Sequence, residues 1–427
     1  MSKLALFGGK KIRRKPFVSR AIVGKEESKR VNSVLKSGIL SGFIAKSGDG
    51  FLGGKEVREF ESLVGGYFGT EHVISVNSAT AGLHVALGAC GIGPGDEVIV
   101  TPYTMSASAT AIIMQNAIPV FADISENTFC IDPGSIEQCI TARTKAIIVV
   151  HLFGHPAEMN RIKALARKYK LKIIEDCAQA PGAVYKKQLV GTLGDIGIFS
   201  LNQHKTVTSG EGGFAITRNA RLALGMRLIR NHGEVIAGNI RLKDISNIVG
   251  YNYRMTELEA AVSIGQFRRL DFLNAHRINL ARYLTEKLSK FEGLTLPAEE
   301  SGTKHVYFVY PIRIKESEAR IPRDVFVKAL NAEGIPCAAG YVRPIYLEPL
   351  YQKKIAYGRK GCPFTCGFYK GNAVYSKGIC PVAEKMHRKE LVIIPVCRYP
   401  ETPRDMDDVV KAFQKIFNNR DKLRKFQ

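Results

Sequence analysis

The sequence predicts an α/β protein with a mostly parallel sheet flanked by helices in a large domain, plus a smaller α+β domain. Between residues 51 and 268, apolar segments typical of buried strands alternate with segments of helical periodicity, which favours a parallel sheet covered on both faces. The strand-like segments are HVISV, EVIVTP, IPVFAD, KAIIVVHLF and KIIED. From residue 269 to 427, VYFVYPIRI and two helical patterns, RDVFVKALNAEG and DMDDVVKAFQKIF, predict the second domain.

Residues 1–50 precede the alternating pattern and are rich in Lys, Gly and Ser. They predict an arm near the active site, in which KSGILSGFIAKSGDGFLGGKEVREFE forms a loop followed by a helix. We therefore expect an arm at 1–50, a large domain at 51–268 and a small domain at 269–427. The chain has 427 residues, 45% hydrophobic and 24% charged, which is typical of a soluble globular protein with two cores.

The charge and the apolar pattern limit the possible partners. No apolar run reaches the roughly 18 residues that span a bilayer, and the first residues lack the arrangement of a secretory signal, so we expect a cytoplasmic protein without a membrane partner. The formal net charge of +23 is compatible with nucleic acid, a membrane surface or an anionic substrate. Because the basic residues are dispersed and no nucleic-acid motif accompanies them, the sequence favours a solvated basic surface, with steering of an anionic substrate as the alternative.

The nine cysteines indicate free thiols rather than a disulfide framework, because their number is odd and many lie in apolar runs. Three cysteines lie close together in the sequence and could bind a metal ion: Cys362, Cys366 and Cys380. Their spacing is poor for zinc and no His lies between them, so we expect no metal site.

The segment FSLNQHKTVTSGEGG, which starts at Phe199, contains the principal candidate, Lys205. A lysine that is partly shielded from water has a lowered pKa and can form a Schiff base, although a lysine before GEGG is by itself typical of a surface turn. Ser200 lies five residues earlier, and Asp176 and Gln179 follow the apolar strand KIIED. A carboxylate at the carboxyl end of a buried strand is well placed to pair with the protonated ring nitrogen of a ligand bound at that edge of the sheet.

The order and spacing of Asp176, Gln179, Ser200 and Lys205 resemble those of the DegT/StrS-type sugar aminotransferases, a family of fold-type-I pyridoxal phosphate enzymes. The resemblance covers nearly the whole chain and is carried independently by five further segments. These are VISVNSATAGLHVAL, GPGDEVIVTPYTMSASATAI, HLFGHPAEM, GYNYRMTELEAAV and CPVAEKMHRKELVIIPV. The resemblance implies a fold-type-I aminotransferase with pyridoxal 5'-phosphate as cofactor.

The turn NSATAG leads from the strand HVISV into a helix, so backbone N–H groups near Ala79 and Thr80 point out of a helix amino terminus. The geometry suits a phosphate, but an ordinary helix cap by Ser78 or Thr80 explains the same residues. The resemblance favours the cofactor phosphate, with the Ser200 hydroxyl as a further contact.

The resemblance also implies two cofactor contacts that the local pattern does not indicate. Met105 occupies the place where many relatives have an aromatic residue over the cofactor ring, and its thioether can cover the ring face. Asn252 resembles an asparagine that reaches the phosphate of the neighbouring subunit, which implies a homodimer with shared active sites. From the residues alone, Asn252 and Arg254 precede a helix that begins near Thr256, for which capping is sufficient.

The implied chemistry is transfer of an amino group from glutamate or glutamine to a keto sugar, nucleotide-linked or free, or a keto-cyclitol. Lys205 is the expected catalytic base and acid. Related sugar dehydratases have histidine in place of the lysine; here Lys205 is intact and His204 is its neighbour, which favours transamination over dehydration. Dehydration and a cofactor-binding regulatory or nucleic-acid-binding role remain the alternatives.

The acceptor is indicated only by resemblance. Gln203, two residues before the lysine, and the segment GCPFTCGFYKGNAVYSKGICPVAE resemble the cyclitol branch of the family. Arg343 and Tyr346 lie where the small domain of relatives approaches the substrate, so they are candidate substrate contacts together with His204. The basic and aromatic segment 351–380 predicts either a lid over a polar acceptor or a loop that packs on its own aromatic residues.

Overall fold

The computed structural model describes residues 2–18, 21–238, 240, 242, 244–365 and 367–426. Its strands, in chain order, are β1 His72–Val76, β2 Glu97–Val100, β3 Ile118–Phe121, β4 Thr144–Val150, β5 Lys172–Asp176, β6 Val184–Tyr185, β7 Gln188–Leu189, β8 Ile196–Ser200, β9 Gly213–Thr217, β10 Leu294–Thr295, β11 Thr303–Lys304, β12 Tyr310–Ile314, β13 Ala338–Ala339 and β14 Leu391–Ile394.

The α-helices are α1 Lys25–Ser37, α2 Lys55–Phe68, α3 Ala79–Ala89, α4 Ala107–Met114, α5 Pro133–Cys139, α6 Met159–Tyr169, α7 Ala220–Arg230, α8 Glu234–Ala237, α9 Glu257–Phe267, α10 Leu270–Leu288, α11 Glu316–Ala319, α12 Arg323–Ala332, α13 Pro349–Gln352, α14 Pro381–Lys385, α15 Pro403–Asn418 and α16 Arg420–Arg424. None of the helices in these ranges combines the length and the apolar composition that crossing a membrane requires.

The large sheet has the order β1-β9-β8-β5-β4-β2-β3. Every neighbouring pair from β8 to β3 is parallel, whereas β9 runs antiparallel to both β8 and β1. The prediction of a mostly parallel sheet is therefore confirmed, and all five predicted strand segments contain one of its strands. Because β5 and β8 are parallel neighbours, their carboxyl ends, Asp176 and Ser200, lie at the same edge of the sheet.

Two large hydrophobic cores and one small cluster around Phe51, Leu228 and Ile236 form the interior of the described residues. The larger core packs the big sheet between its helices, and the second joins α10, α12 and α15 to the antiparallel sheet β10-β12-β14-β13. Leu4, in the predicted arm, is 1% exposed and belongs to the second core. The predicted helices in RDVFVKALNAEG and DMDDVVKAFQKIF are α12 and α15.

Helix α1 lies in a segment for which the sequence predicted no helix, because its 13 residues, KEESKRVNSVLKS, are largely polar. Tertiary contacts stabilise it instead. Glu27 is buried, caps the helix at Gly24 and accepts a 2.8 Å hydrogen bond from Gln266 of α9. Arg30 donates to Glu59 of α2. Such contacts between distant segments are invisible to local periodicity.

The segment 351–380 packs along β3, at the edge of the large sheet. Tyr375 donates a 2.9 Å hydrogen bond to the carbonyl oxygen of Pro119, and Tyr369 donates one of 2.8 Å to Glu97. The Phe121 ring contacts the rings of Tyr351 and Tyr375. The rings of Tyr351, Phe364 and Tyr375 also contact one another, which agrees with a loop packed on its own aromatic residues, and the segment covers the sheet edge. The role as a lid stays a prediction.

Candidate active site

Lys205 lies in the loop between β8 and β9, where its backbone N–H donates a 2.8 Å hydrogen bond to the Asn202 carbonyl oxygen. The side chain is half-buried, and Nζ lies 5.0 Å from the centroid of the Phe308 ring. Burial lowers the pKa of the Lys205 amine, while the nearby Asp176 carboxylate acts in the opposite direction. Because β5 and β8 are parallel neighbours, Asp176 at the end of β5 and the Lys205 loop after β8 lie at the same carboxyl edge of the sheet.

Asp176 is the last residue of β5 and is only 6% exposed. Its carboxylate accepts a 2.8 Å hydrogen bond from the Ser108 hydroxyl and one of 3.1 Å from the Ala178 N–H. Ser108 is fully buried in α4. These donors hold the carboxylate in a fixed orientation, which is what a charge partner for a bound ring requires.

Gln179 bridges two distant segments. Its side-chain oxygen accepts a 2.8 Å hydrogen bond from the Phe153 N–H, and its amide nitrogen donates one of 3.0 Å to the Tyr341 hydroxyl. Phe153 has a φ of 57°, an uncommon conformation for a non-glycine residue. The Gln179 side chain, 4% exposed, thus satisfies a backbone donor in a strained turn beside the site.

The start of α3 lies against the strands that present Ser200. Ser200 is 7% exposed and pairs in register with Gly213, and a Cβ added at Gly213 would lie 2.7 Å from the Ala79 nitrogen. Ser78 caps the helix by accepting a 3.1 Å hydrogen bond from the Ala81 N–H, as the capping alternative anticipated. The N–H groups of Ala79 and Thr80, in the first turn, have no intrahelical acceptor, and their expected role in phosphate binding stays a prediction.

Met105, expected at the cofactor ring, and Asn252, expected to reach across a dimer interface, are both exposed in the single chain. The Met105 side chain is 60% exposed. Asn252 is exposed, and its side-chain oxygen accepts a 2.8 Å hydrogen bond from Arg254. The helix after them begins at Glu257, near the predicted position, but its cap is Thr256 and not Asn252 or Arg254. The expected roles of Met105 and Asn252 stay predictions.

The three candidate substrate contacts, His204, Arg343 and Tyr346, differ in how exposed their side chains are. His204 is exposed and lines the same pocket as Lys205, and Arg343 is exposed. The expectation for Tyr346 is wrong. Its side chain is fully buried and its hydroxyl donates a 2.7 Å hydrogen bond to Glu384, so it is a core residue that no substrate can reach.

A pocket of about 200 Å³ lies beside Lys205. Ala21 and Ile22 of the arm form one side, and Arg277 of α10 and Arg398 line it further. Two residues of the predicted arm therefore line the same pocket as Lys205.

The comparisons with known proteins agree with this geometry. The model of the DegT/DnrJ/EryC1/StrS aminotransferase family matches residues 23–413. The chain belongs to this aminotransferase family. The aminotransferase is 34% identical over 423 residues to the L-glutamine:2-deoxy-scyllo-inosose aminotransferase of Streptomyces paromomycinus, covering 97% of each chain.

Two further relatives extend the comparison. The aminotransferase is 39% identical over 299 residues to the GDP-perosamine synthase of Caulobacter vibrioides, which covers 70% of this chain and 79% of the relative. Its fold matches the crystal structure of an aminotransferase from Psychrobacter cryohalolentis with a TM-score of 0.81 and 30% identity, over 95% of this chain and 99% of that one. The fold-type-I architecture is confirmed.

The aminotransferase also contains a buried group of potential metal ligands, His151, Glu175 and Cys177, whose ligand atoms lie within 4.8 Å of one another. Glu175 accepts hydrogen bonds from three backbone N–H groups, of Gly191, Leu193 and Gly194, and contacts His151 Nε2 at 2.9 Å. Both of its oxygens are thereby occupied, and this network anchors the turn after β7 beside Asp176.

The cysteines Cys362, Cys366 and Cys380 were also candidates for binding a metal. Cys366 lies outside the described residues, and the Cys380 thiol donates to the Phe121 carbonyl oxygen.

Sequence reasoning missed several residues that the fold brings to the site: Ser108, Phe153, Phe308, Tyr341, Arg277 and Arg398. Ser108 and Phe153 gave a usable signal, because they follow β2 and β4 at the same sheet edge. The other four come from segments between residues 277 and 398, whose approach to Lys205 no local pattern indicates.

Proposed function

We propose that this aminotransferase binds pyridoxal 5'-phosphate at the carboxyl edge of the large sheet. The observation that carries the proposal is the half-buried Lys205 amine sharing a site with the buried Asp176 carboxylate. The Ser200 hydroxyl and the first N–H groups of α3, at Ala79 and Thr80, would hold the phosphate. When bound, the cofactor supplies an electron sink for the carbon that bears the reacting amino group.

Lys205 would anchor the cofactor through its amine and then move the proton. Because burial lowers its pKa, the amine can be neutral closer to physiological pH than an exposed lysine, and a neutral amine can accept a proton from the donor carbon. The protonated amine can return that proton at the neighbouring position. Asp176, fixed by Ser108, would carry the negative charge opposite the protonated ring nitrogen.

We infer that the amino donor is glutamate or glutamine and that the acceptor is a keto sugar, nucleotide-linked or free, or a keto-cyclitol. The names of the two relatives support this range, because one contains glutamine and a keto-cyclitol and the other a GDP-linked amino sugar. The intact Lys205 favours amino transfer over sugar dehydration. His204 and Arg343, both exposed, remain candidate contacts to the acceptor.

A homodimer with shared active sites completes the proposal. Met105 is exposed although apolar, and Asn252 is exposed as well, so both side chains are accessible to a neighbouring subunit. In a dimer, Asn252 would contribute to the phosphate site of the neighbouring subunit, and Met105 would cover the cofactor ring.

The absorbance spectrum of the protein reconstituted with pyridoxal phosphate tests the function. Wild type should show a visible band that glutamate or glutamine, added separately without acceptor, converts into the near-ultraviolet band of the aminated cofactor. Lys205→Ala should lack the conversion, and Lys145→Ala, an exposed lysine in β4, should retain it. A band that neither donor changes would favour dehydration, and failure to bind the cofactor would contradict the proposal itself.

A further inference from the structure

His151 is a fully buried residue that directly follows β4, at the carboxyl edge of the large sheet. Both nitrogens of its ring contact other groups. Nδ1 accepts a 3.0 Å hydrogen bond from the Ala157 N–H, and Nε2 lies 2.9 Å from Oε2 of Glu175. A ring nitrogen that accepts a hydrogen bond carries no hydrogen. The ring hydrogen therefore lies on Nε2, which donates to Glu175.

Glu175 connects the His151 ring to the large sheet. It precedes Asp176 in β5 and is fully buried. Its carboxylate accepts hydrogen bonds from three backbone N–H groups in addition to the one from His151, so its position is fixed. Hydrogen bonds to an ionised group are stronger than those between neutral groups. The ring of His151 is therefore held firmly on the strand that presents Asp176.

The hydrogen bond from Ala157 closes residues 151–157 into a turn, the 151–157 turn. Within it, Phe153 and Gly154 both have left-handed backbone conformations, with φ of 57° and 92°. For Phe153, which is not glycine, this conformation costs energy and persists only where the surrounding contacts hold it. His151 supplies such a contact from the side of the sheet.

The 151–157 turn contacts Gln179, whose side-chain oxygen accepts a 2.8 Å hydrogen bond from the Phe153 N–H. The amide nitrogen of Gln179 donates a 3.0 Å hydrogen bond to the Tyr341 hydroxyl. Burial raises the pKa of this hydroxyl, the bond from Gln179 lowers it, and the Asp176 carboxylate raises it. Gln179 is therefore held between the turn and a hydroxyl that lies near Asp176.

On its other side, the turn contacts the segment 305–308. The Phe308 N–H donates a 2.8 Å hydrogen bond to the Phe153 carbonyl oxygen. The ring of Phe308 has its centroid 5.0 Å from Nζ of Lys205. These contacts join the turn to the segment 305–308, whereas the side chain of His151 joins the turn to β5 through Glu175.

We propose that His151 is a positioning residue for the cofactor site. It fixes the 151–157 turn relative to β5, and through the turn it orients the Gln179 amide and the Phe308 ring beside Lys205. The inference rests on the proposed binding of pyridoxal phosphate, because these orientations affect the reaction only when the cofactor is bound.

Two variants separate the two hydrogen bonds of His151. The oxygen of His151→Asn is as many bonds from the main chain as Nδ1, so it can accept from Ala157 but does not reach Glu175. The side-chain nitrogen of His151→Gln is as many bonds away as Nε2, so it can donate to Glu175 but leaves Ala157 without an acceptor. Because bonds to an ionised group are stronger, His151→Gln should have the higher melting temperature, whereas His151→Asn should hold the turn better.

His72→Asn is the control. His72 begins β1, which runs in the same direction as β8, so it lies at the opposite edge of the large sheet. This variant should match wild type in every measurement.

Hydrogen exchange followed by mass spectrometry measures the turn in the protein without cofactor. In wild type, the amides of Phe153 and Ala157 should exchange slowly, because both donate to buried side chains. Relative to peptides from β4 and β5, His151→Gln should speed their exchange by about fivefold or more, and His151→Asn by less. Fast exchange of the Ala157 amide in wild type would overturn the proposal without any variant, and equal exchange in the two variants would also overturn it.

Circular dichroism of the bound cofactor, normalised to the amount bound, reports the orientation of its ring and is insensitive to a loss of folded protein. The visible band should weaken more in His151→Gln than in His151→Asn. The donor half-reaction should slow in the same order, by about tenfold or more in His151→Gln, while the donor concentration for half-saturation stays unchanged.

The order of the two variants decides between positioning and stability. If the exchange rates and the dichroism follow the order of the melting temperatures, His151 contributes only to stability and the proposal is overturned. An unchanged band in His151→Gln would also overturn it. If wild type binds no pyridoxal phosphate but the exchange rates differ as expected, the proposed function fails, while His151 still fixes the turn and Gln179.

Discussion

The hydroxyl of Ser108 donates a 2.8 Å hydrogen bond to Oδ2 of Asp176 within the buried part of the site. Ser108→Ala removes this bond and leaves a buried carboxylate oxygen without that donor. Because a hydrogen bond to a charged group contributes about 1.5–3 kcal/mol, we expect the donor half-reaction to slow about tenfold or more. Stopped-flow absorbance measures this rate.

Ser106→Ala is the matched control, because Ser106 is exposed two residues earlier. It should react at the wild-type rate. A Ser108→Ala protein that binds cofactor and also reacts at the wild-type rate would show that Asp176 needs no orientation by this hydroxyl.

The lowered pKa of Lys205 predicts a pH-dependent stability of the protein without cofactor. The unfolded lysine, with its ordinary value of 10.5, binds its proton at higher pH than the folded one. Stability therefore falls as pH decreases from about 10.5 through the folded pKa. Lys205→Met lacks this penalty, so its melting temperature should exceed that of wild type at pH 7, and the difference should shrink as pH approaches 10.5.

Thermal unfolding of both proteins at several pH values checks this sign. Lys145→Met, at an exposed position in β4, should differ from wild type by the same amount at every pH. A Lys205→Met difference that is constant with pH would mean that the folded protein does not disfavour the charged amine.

The two hydrogen bonds of Gln179 predict unequal effects of two substitutions. Tyr341→Phe removes only the bond from the amide nitrogen, whereas Gln179→Ala also leaves the Phe153 N–H without its acceptor. An unsatisfied buried donor costs about 1–3 kcal/mol. Gln179→Ala should therefore destabilise the protein more than Tyr341→Phe in chemical denaturation, and equal destabilisation would contradict a structural role for the Phe153 contact.

The sequence predicts the site best where the chain order determines the geometry. Asp176 ends β5, which the apolar segment KIIED predicts. Ser200 ends β8, for which no strand was predicted, so its place beside Asp176 followed only from the resemblance. Arg398 lies beside the Lys205 pocket because the segment after β14 packs there, and local sequence patterns contain no information about this packing. Tyr346 was misplaced for the same reason, because its burial depends on Glu384 and on the edge of the sheet at Phe121.

The proposed dimer predicts complementation between two defective variants. Lys205→Ala lacks the amine, and Asn252→Ala lacks the side chain expected to reach the neighbouring subunit. In a mixed dimer, one site contains an intact Lys205 from one subunit and an intact Asn252 from the other. Random mixing of subunits should restore about one quarter of wild-type activity. Recovery should be absent if both residues act within one chain, and refolded single variants provide the baseline.

The absence of a side chain at Gly213 allows the start of α3 to approach strands β8 and β9 closely. A Cβ at this position would lie 2.7 Å from both the Ala79 nitrogen and the Phe199 carbonyl oxygen, so Gly213→Ala must push the helix start away from Ser200. Overpacking of this kind costs about 1–3 kcal/mol, and we expect the affinity for pyridoxal phosphate to fall about tenfold. Gly66→Ala, in α2 with open space around it, should leave that affinity unchanged and stabilise the helix slightly. Spectral titration with the cofactor compares the three proteins. Unchanged affinity in a folded Gly213→Ala protein would place the phosphate away from the first turn of α3.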